Sequence, residues 1–400
     1  MRMNIKIIIP GIVLLTAFSL MGADWPVWRG EKRDGTTTET VKVEALTGSQ
    51  LWETEVGCGY SAVSVYKGRL LTAGNKNNMD IIYCLDAASG REIWKHSYPC
   101  AAASTYPGTR ATPVTDGINV YMLSREGDII CLDLNSGGIK WEHRKLANGE
   151  VKNLPWGLAG SVLLHDGMAI VNIGGRGMAF SASDGTPVWR SDGTANYASP
   201  VLFSFKGKEY LAMFSVRKLL ILEPRTGNEI TSYPWETKYD VNAADPVIAD
   251  GGKILISSPS DHGSALLDFD GSSLKKVWEN QNLCSLLTTP ILIDGIIYGV
   301  TGTGGAARGN FCAVKLSDGS LCWKSNIQFG SFIQAGDLFV YLEDNGTIDL
   351  IKPSAAKCEV QKTVKYLKLG SAKCWTMPVV AEGKIYCRNA NGRLVCIAAQ

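Results

Sequence analysis

The sequence predicts an all-β fold, an eight-bladed β-propeller whose ring is closed by pairing of its N- and C-terminal strands. Three observations predict this fold. A strand-start motif recurs eight times at intervals of about 44 residues, segments with strand periodicity follow each copy, and a shorter unit ending in tryptophan follows most of them. A chain of 400 residues is too long for one ordinary compact core, which also favours an architecture that grows by repetition.

The strand-start motif places a small or hydroxyl residue near a proline or valine, and a glycine turn ends the strand that follows. The clear copies are RATPVTDG (110–117), YASPVLFSFKG (197–207), AADPVIADGG (243–252), TTPILIDG (288–295) and TMPVVAEG (376–383), and the weaker ones are YSAVSVYKG (60–68), AGSVLLHDG (159–167) and SFIQAG (331–336). Segments after the glycine alternate apolar and polar residues, which is the period of a strand and not of a helix. Four short strands between regular turns are typical of a propeller blade.

The tryptophan unit is complete in CLDAASGREIW (84–94) and CLDLNSGGIKW (131–141), where tryptophan comes four residues after a glycine. Each indole is expected to pack over the glycine turn of the neighbouring blade. The N-terminal LTGSQLW (46–52) contains only the second half of the unit, and the C-terminal LVCIAAQ (394–400) contains only the first. We therefore predict that both ends of the chain build one blade, which removes the free edges of the ring.

The N-terminal residues predict an export signal. Two basic residues and an apolar run, too short to cross a bilayer comfortably, precede small residues, so residues 1–23 are expected to be cleaved. No lipidated cysteine follows. Residues 24–45 are expected to form a strap along the propeller wall, with a ligand lid formed by Trp25, Trp28 and Arg29 as the alternative. Residues 46–400 are expected to form the propeller. The mature protein is expected to be periplasmic or secreted, without a transmembrane span.

The cysteines and the net charge indicate which disulfides and which binding partners to expect. Four of the eleven cysteines, Cys84, Cys131, Cys312 and Cys396, share one repeat position and are expected to be small core residues. Others lie in or near connections, where one or two disulfides could form. A net charge of +2 gives no electrostatic reason to expect nucleic acid as a partner. We expect a monomer.

The unit LDAASGREIW resembles the tryptophan-docking repeat of the PQQ-like (pyrroloquinoline quinone) propellers, over residues 46–400. The stretches DWPVWRGEKRDG and YPGTRATPVTDG are similar to exported bacterial members of that group. The resemblance implies either a quinoprotein alcohol dehydrogenase or a non-catalytic scaffold similar to the outer-membrane assembly lipoprotein BamB. One fold carries many functions, so the repeat indicates the architecture and not the activity.

The predicted binding site lies on one face of the ring. Loops between the second and third strands of each blade, and loops between blades, share this face around the channel mouth, and most of them contain a basic residue that could hold an anionic ligand. Trp156 and Trp375 would add stacking surfaces. The candidate ligand-binding residues are Arg110, Arg125, Trp156, Arg176, Asn196, Arg217, Asn242, His262, Arg308, Trp375 and Arg388.

The predicted function is non-catalytic binding of an envelope or extracellular protein, or of an anionic glycan, with no metal and no cofactor. The first alternative is a divergent quinoprotein dehydrogenase that uses PQQ and Ca²⁺. Its nearest ligand candidates would be Asn196, Asp240, Asn242 and Asp261, although the adjacent cysteine pair of such enzymes is absent. The second alternative is BamB-like outer-membrane protein assembly, against which the missing lipidation site counts.

Overall fold

Eight β-sheets form the fold. The computed structural model describes residues 22–146, 151–259, 262–303, 308–366 and 368–400, and of residues 303 and 308 only the backbone. In these ranges it contains seven four-stranded antiparallel sheets and an eighth sheet of the same kind with a fifth, parallel strand at one edge. Each sheet is one blade, so the predicted eight-bladed propeller is confirmed.

The blades follow one another along the chain. The strands of blades 1 and 2 are Ser64–Tyr66, Arg69–Lys76, Met79–Asp86, Glu92–Pro99, and Val114–Thr115, Asn119–Leu123, Ile129–Asp133, Ile139–His143. Those of blades 3 and 4 are Leu163–His165, Met168–Val171, Met178–Ser181, Pro187–Trp189, and Val201–Phe205, Lys208–Phe214, Lys218–Leu222, Glu229–Pro234. Those of blades 5 and 6 are Val247–Ala249, Lys253–Ser258, Gly263–Phe269, Leu274–Asn280, and Ile291–Ile293, Ile296–Thr303, Arg308–Lys315, Leu321–Lys324. Those of blades 7 and 8 are Gly330–Ala335, Leu338–Glu343, Thr347–Lys352, Glu359–Lys365, and Val379–Ala381, Lys384–Arg388, Arg393–Ala398, Trp52–Glu55.

Short elements complete the described chain. Thr36–Thr37 pairs in parallel with the first strand of blade 7, and Val151–Lys152 pairs in parallel with Gly193–Thr194. Three 3₁₀ turns lie at Val43–Ala45, Asp250–Gly252 and Leu369–Ser371. No described helix has the length and apolar character needed to cross a membrane.

Blade 8 is built from both ends of the chain, as the split repeat unit predicts. Trp52–Glu55 pairs antiparallel with Arg393–Ala398, and Trp52 lies opposite Cys396. The N-terminal strand therefore supplies the fourth strand of the last blade, and the ring closes through main-chain hydrogen bonds.

Burial distinguishes the outside of the ring from the channel. Fourth strands such as Glu92–Pro99 alternate exposed and buried residues, whereas the second and third strands are buried along nearly their whole length. The fourth strand therefore forms the perimeter and the first strand lines the central channel. We call the face with the inter-blade connections and the loops between second and third strands the top face, and the opposite face the bottom face.

Tryptophan indoles join successive blades at the bottom of the perimeter. The Nε1 atom of Trp141 donates to the carbonyl of Ala182 at 2.9 Å, and its ring covers Gly185, where a Cβ atom would lie 2.7 Å from the ring. Trp235 differs, since its Nε1 atom donates to Ser258 within the interior and its ring lies edge-on to His262 at 4.1 Å. Contacts like that of Trp141 are also made by Trp52, Trp94, Trp189 and Trp278.

The cysteines lie mainly inside the blades. Cys84, Cys131, Cys312 and Cys396 are fully buried, which confirms their predicted place in the core. All eleven cysteines lie in the described residues, and none of them forms a disulfide in the structure. Burial raises the pKa of the Cys84 thiol to about 11, and the pKa of Cys396 to about 12, so both stay protonated and unreactive at neutral pH.

The N-terminal segment lies inside the ring and not along its outer wall. Residues 23–41, the channel segment, hydrogen-bond to the first strands, or to residues beside them, of blades 1, 2, 3, 5, 6, 7 and 8. A segment that reaches blades on opposite sides of a ring must lie in its centre. The expected wall strap is therefore replaced by a channel filling, in which main-chain and side-chain groups of the segment bond to residues in or beside the first strands. The contacted residues are Val65, Thr115, Leu164, Asp245, Pro290, Gln334 and Gly383.

Candidate functional site

The channel segment enters from the bottom face and turns at the level of the top-side ends of the first strands. Ala23 and Thr37 bond to residues at the bottom turns of blades 8 and 7. Between them, Trp28 and Arg29 reach Asp245 and the Pro290 carbonyl, which precede the first strands of blades 5 and 6. These two side chains therefore form a floor beneath the top-face opening.

A chain of hydrogen bonds between blades surrounds this floor. In each link, a main-chain N–H of one blade donates to a side-chain oxygen at the start of the next blade. The oxygens belong to residues of the strand-start motif, which explains why a hydroxyl or acid recurs there. From blade 1 to blade 6 the donors and acceptors run Ala62, Thr112, Ser161, Ser199, Asp245 and Thr289.

Asp245 is the charged member of that chain. It is 5% exposed, its Oδ1 accepts the N–H of Ser199 at 2.7 Å, and its Oδ2 accepts the indole N–H of Trp28 at 2.7 Å. Burial raises the pKa of Asp245, although the charge of Arg29 and these two hydrogen bonds oppose the shift. Both carboxylate oxygens are thus engaged within the protein.

Arg29 is held beside Asp245 in a constrained conformation. Its φ is 64°, in the left-handed region that non-glycine residues rarely adopt. Its guanidinium donates to the carbonyls of Asp34 and Pro290. Burial lowers the pKa of Arg29, and the charges of Asp245 and Asp34 partly compensate. Such a backbone conformation persists only where surrounding contacts hold it, and here they hold a buried cation at the channel floor.

Three half-buried aromatic rings lie together on the top face, where the connections into blades 8, 1 and 2 meet. Trp375 stacks on Tyr60 with a centroid distance of 5.6 Å and contacts Tyr106 at 5.2 Å. The Lys373 ammonium lies 4.3 Å from the Trp375 centroid, and the Arg110 guanidinium 6.0 Å from that of Tyr60. Burial lowers the pKa of Arg110 to about 10, which leaves it charged at neutral pH. We call these five residues the top-face cluster.

A pocket lies between the top-face cluster and the channel segment. Trp28 and Arg29 line one side, and Leu287, Ser331 and Trp375 line the other. Leu287 is 38% exposed, so the pocket borders the top-face surface. Trp375 belongs to both the cluster and the pocket wall and so connects them.

The structure separates the sequence-predicted site residues into three groups. Arg176 and Arg217 are exposed, and Arg217 lies 3.8 Å from Asp240. Arg110, Trp156, His262 and Trp375 are half-buried, although only Arg110 and Trp375 belong to one cluster. Arg125, Asn196, Asn242 and Arg388 are buried. The side chain of Arg308 lies outside the described residues.

The buried group bonds mainly within the protein, and among these four side chains only Nε of Arg125 and Nε of Arg388 lack a hydrogen-bond partner in the described residues. Arg388 is 1% exposed and donates to four main-chain carbonyls and the Thr72 hydroxyl, which joins blade 8 to blade 1. Asn196 and Asn242 bond to neighbouring main-chain and side-chain groups of blades 3, 4 and 5. Arg125 donates to the Ala101 carbonyl and pairs with Glu126 at 2.7 Å. These four side chains therefore contribute to the packing between loops and blades.

The candidate ligands of PQQ and Ca²⁺ that the structure describes already make contacts within the protein. The amides of Asn196 and Asn242 are committed to internal hydrogen bonds, Asp240 lies at the surface beside Arg217, and Asp261 lies outside the described residues. At the channel floor the carboxylate is that of Asp245, whose two oxygens already accept protein N–H groups. No group of three His, Cys, Asp or Glu side chains in the described ranges is placed to bind a metal. These residues do not fit that cofactor pair.

Several residues of the site were not predicted as ligand-binding residues. Tyr60, Tyr106 and Lys373 lie in inter-blade connections, whereas Trp28 and Arg29, which were considered only as part of a ligand lid, lie in the channel segment. The cluster of Trp28 and Arg29 near the start of the mature chain was a signal for a functional segment, but its location in the channel depends on contacts that a repeat pattern does not contain.

Comparison with known proteins indicates the family. A family model described as outer membrane protein assembly factor BamB matches residues 78–325. BamB of Yersinia pestis is 22% identical over 406 residues, which cover 98% of this chain and 88% of that protein. Tetrathionate hydrolase of Acidithiobacillus ferrooxidans is 22% identical over 236 residues, which cover 54% of this chain and 45% of the enzyme.

Solved structures share the architecture. The quinohemoprotein alcohol dehydrogenase of Comamonas testosteroni superposes with a TM-score of 0.69 at 12% identity, over 94% of this chain and 80% of the enzyme. At this identity the likeness shows the fold alone.

Proposed function

This chain belongs to the family of the outer membrane protein assembly factor BamB, and on that premise we propose that it is a periplasmic scaffold whose top face binds an extended segment of a partner protein. The observation that carries the proposal is the top-face cluster, in which three half-buried aromatic rings lie between two cations. Aromatic residues and arginine are enriched at protein interfaces because they bury large areas at low entropic cost.

The chemistry of the surface favours an apolar and acidic protein segment over a glycan. Leu287 and the half-buried Met377 border the pocket beside Trp375 and offer apolar contacts that suit an aliphatic side chain. Lys373 and Arg110 supply positive charge at the margin of the same patch. A segment with alternating apolar and acidic side chains would satisfy both features, whereas a sugar would leave the apolar rim against hydroxyl groups.

Site-specific photo-crosslinking in the native envelope tests this proposal. A photoreactive phenylalanine analogue at Tyr106 is expected to crosslink to a protein of outer-membrane assembly. The matched control is the same analogue at Ile118, which is 68% exposed in a turn of the bottom face. Replacing Trp375 and Lys373 by alanine should reduce the yield from position 106 by about fivefold or more.

Either of two results would contradict the proposal. Equal crosslinking from positions 106 and 118 would show that the top face is not the binding surface. Capture of an anionic glycan and no protein at position 106 would replace the partner class by the glycan.

A further inference from the structure

Two residues that line the pocket beneath the top-face cluster each have a buried N–H group without an acceptor. Nε of Arg29 and Nε1 of Trp375 have no hydrogen-bond partner among the described residues. Both side chains line the same pocket, and Arg29 is 5% exposed. A buried donor without an acceptor destabilises the folded state, so such groups in native proteins usually mark a bound water, ion or ligand.

The other polar groups of the pocket are already paired. The Ser331 hydroxyl donates to the Trp375 carbonyl at 2.9 Å, and the Thr288 hydroxyl donates to the Gly330 carbonyl at 2.8 Å. Asp245 lies close enough to Arg29 to interact with its charge, yet Nε of Arg29 has no acceptor. The two N–H groups therefore lack an oxygen acceptor among the described residues.

The charge of the channel floor makes an anion the suitable acceptor. Arg29 and Arg33 bring two guanidinium groups into the channel, and the buried carboxylate of Asp245 interacts with the charge of Arg29. Burial lowers the pKa of Arg33 to about 10, and no carboxylate contributes to that shift. A guanidinium N–H and an indole N–H together match the two oxygens of a carboxylate group.

We propose that this pocket binds one carboxylate group through Nε–H of Arg29 and Nε1–H of Trp375. The inference rests on the proposed function where the carboxylate belongs to a partner segment. The Trp375 ring stacks with Tyr60, and Trp375 also lines the pocket. A segment lying over the cluster can therefore direct one acidic side chain into the pocket. A small carboxylate compound free in solution could bind to the same two N–H groups.

Calorimetric titration of the full chain distinguishes the two sources. One pair of probes is a short capped peptide of alternating leucine, phenylalanine and glutamate and the same peptide with glutamine. The other pair is propionate and propionamide. The glutamate peptide is expected to bind about tenfold more tightly than the glutamine peptide. Propionate is expected to bind weakly and propionamide not at all.

Two variants connect that preference to the pocket. Trp375→Phe keeps the stacking ring and removes the N–H, so it should abolish most of the glutamate preference and leave glutamine-peptide affinity nearly unchanged. Arg29→Gln, if it folds, should also abolish most of the preference for the glutamate peptide. Trp189→Phe is the control, because it removes one indole N–H at the perimeter, where Nε1 bonds to the Pro224 carbonyl. The Trp189→Phe variant should bind the glutamate peptide in preference to the glutamine peptide as strongly as the parent protein does.

The outcomes separate this inference from the proposed function. Equal binding of both peptides would overturn the carboxylate pocket, leaving water as its occupant, and would leave the binding surface intact. Propionate binding that Trp375→Phe abolishes, without binding of either peptide, would support the pocket and overturn the protein-binding function. Absence of all binding would overturn both.

Discussion

The indole N–H of Trp28 donates to Oδ2 of Asp245 at 2.7 Å and thereby joins the channel segment to the chain of hydrogen bonds between blades. Asp245 also accepts the N–H of Ser199, so one buried carboxylate connects the segment, blade 4 and blade 5. The N-terminal segment is therefore part of the propeller interior, and its contacts determine the shape of the floor beneath the top face.

Replacing Trp28 by phenylalanine should destabilise the protein by about 1–3 kcal/mol, because it leaves a buried carboxylate oxygen without its donor. The free energy of unfolding from urea titration measures the loss. The same substitution in an Asp245→Asn background should cost clearly less, since a neutral amide is less costly to bury than a carboxylate. Equal losses in both backgrounds would show that the hydrogen bond is not the cause.

Arg388→Met should destabilise more strongly, by about 3–5 kcal/mol, because several buried acceptors lose one shared donor group. The guanidinium donates to the carbonyls of Gly57, Gly59, Ser61 and Ala73, all in the part of the chain that begins blade 1. Arg388→Lys is the matched variant and should show a smaller loss, since an ammonium keeps the charge and three donors. A urea unfolding midpoint of Arg388→Met equal to that of the parent protein would refute the role of Arg388 in joining blades 8 and 1.

Trp141→Ala should cost about 3–5 kcal/mol, because it removes a large buried ring and leaves Gly185 uncovered. Trp141→Phe keeps most of the apolar contact and loses the hydrogen bond to the Ala182 carbonyl, so its loss should be nearer to about 1 kcal/mol. Thermal and urea unfolding of both variants check that Trp141→Ala loses more stability than Trp141→Phe. Equal stability of Trp141→Ala and the parent protein would refute the packing contact.

The repeat made the fold predictable, because identical local patterns require equivalent blades. The split tryptophan unit likewise predicted the pairing of Trp52–Glu55 with Arg393–Ala398. The path of the channel segment was not predictable, because it occurs once and bonds to main-chain groups of strand edges, which every sequence has. Only the tertiary arrangement shows that those edges face a channel.

The candidate site was predicted only in part, for a related physical reason. Counting basic residues on one face placed Arg110 and Arg388 together, yet one lies in a surface cluster and the other in the interior. The spacing of loops determines the face on which a residue lies and not whether its side chain turns outward or inward. Tyr60 and Tyr106 were missed because tyrosine near a strand is ordinarily a packing residue.

The Glu343 and Asp349 carboxyl groups of blade 7 should make stability depend on pH. Burial, followed by the hydrogen bond with Asp349 and its charge, raises the pKa of Glu343 from 4.5 to about 7. The folded protein therefore holds this proton more tightly than the unfolded chain. The resulting stabilisation is complete below about pH 4.5 and is lost as the pH rises through about 7.

Glu343→Gln removes this titration and keeps a polar side chain beside Asn345, which donates to Glu343 at 2.9 Å. Between about pH 5 and pH 8, the free energy of unfolding should therefore fall less in the variant than in the parent protein. Urea titrations at several pH values measure the difference, in which titrating groups other than the neighbouring Asp349 cancel. Glu359→Gln, at an outer strand, is the control and should leave the parent profile unchanged. Parallel profiles for the parent and Glu343→Gln would show that Glu343 does not titrate in this range.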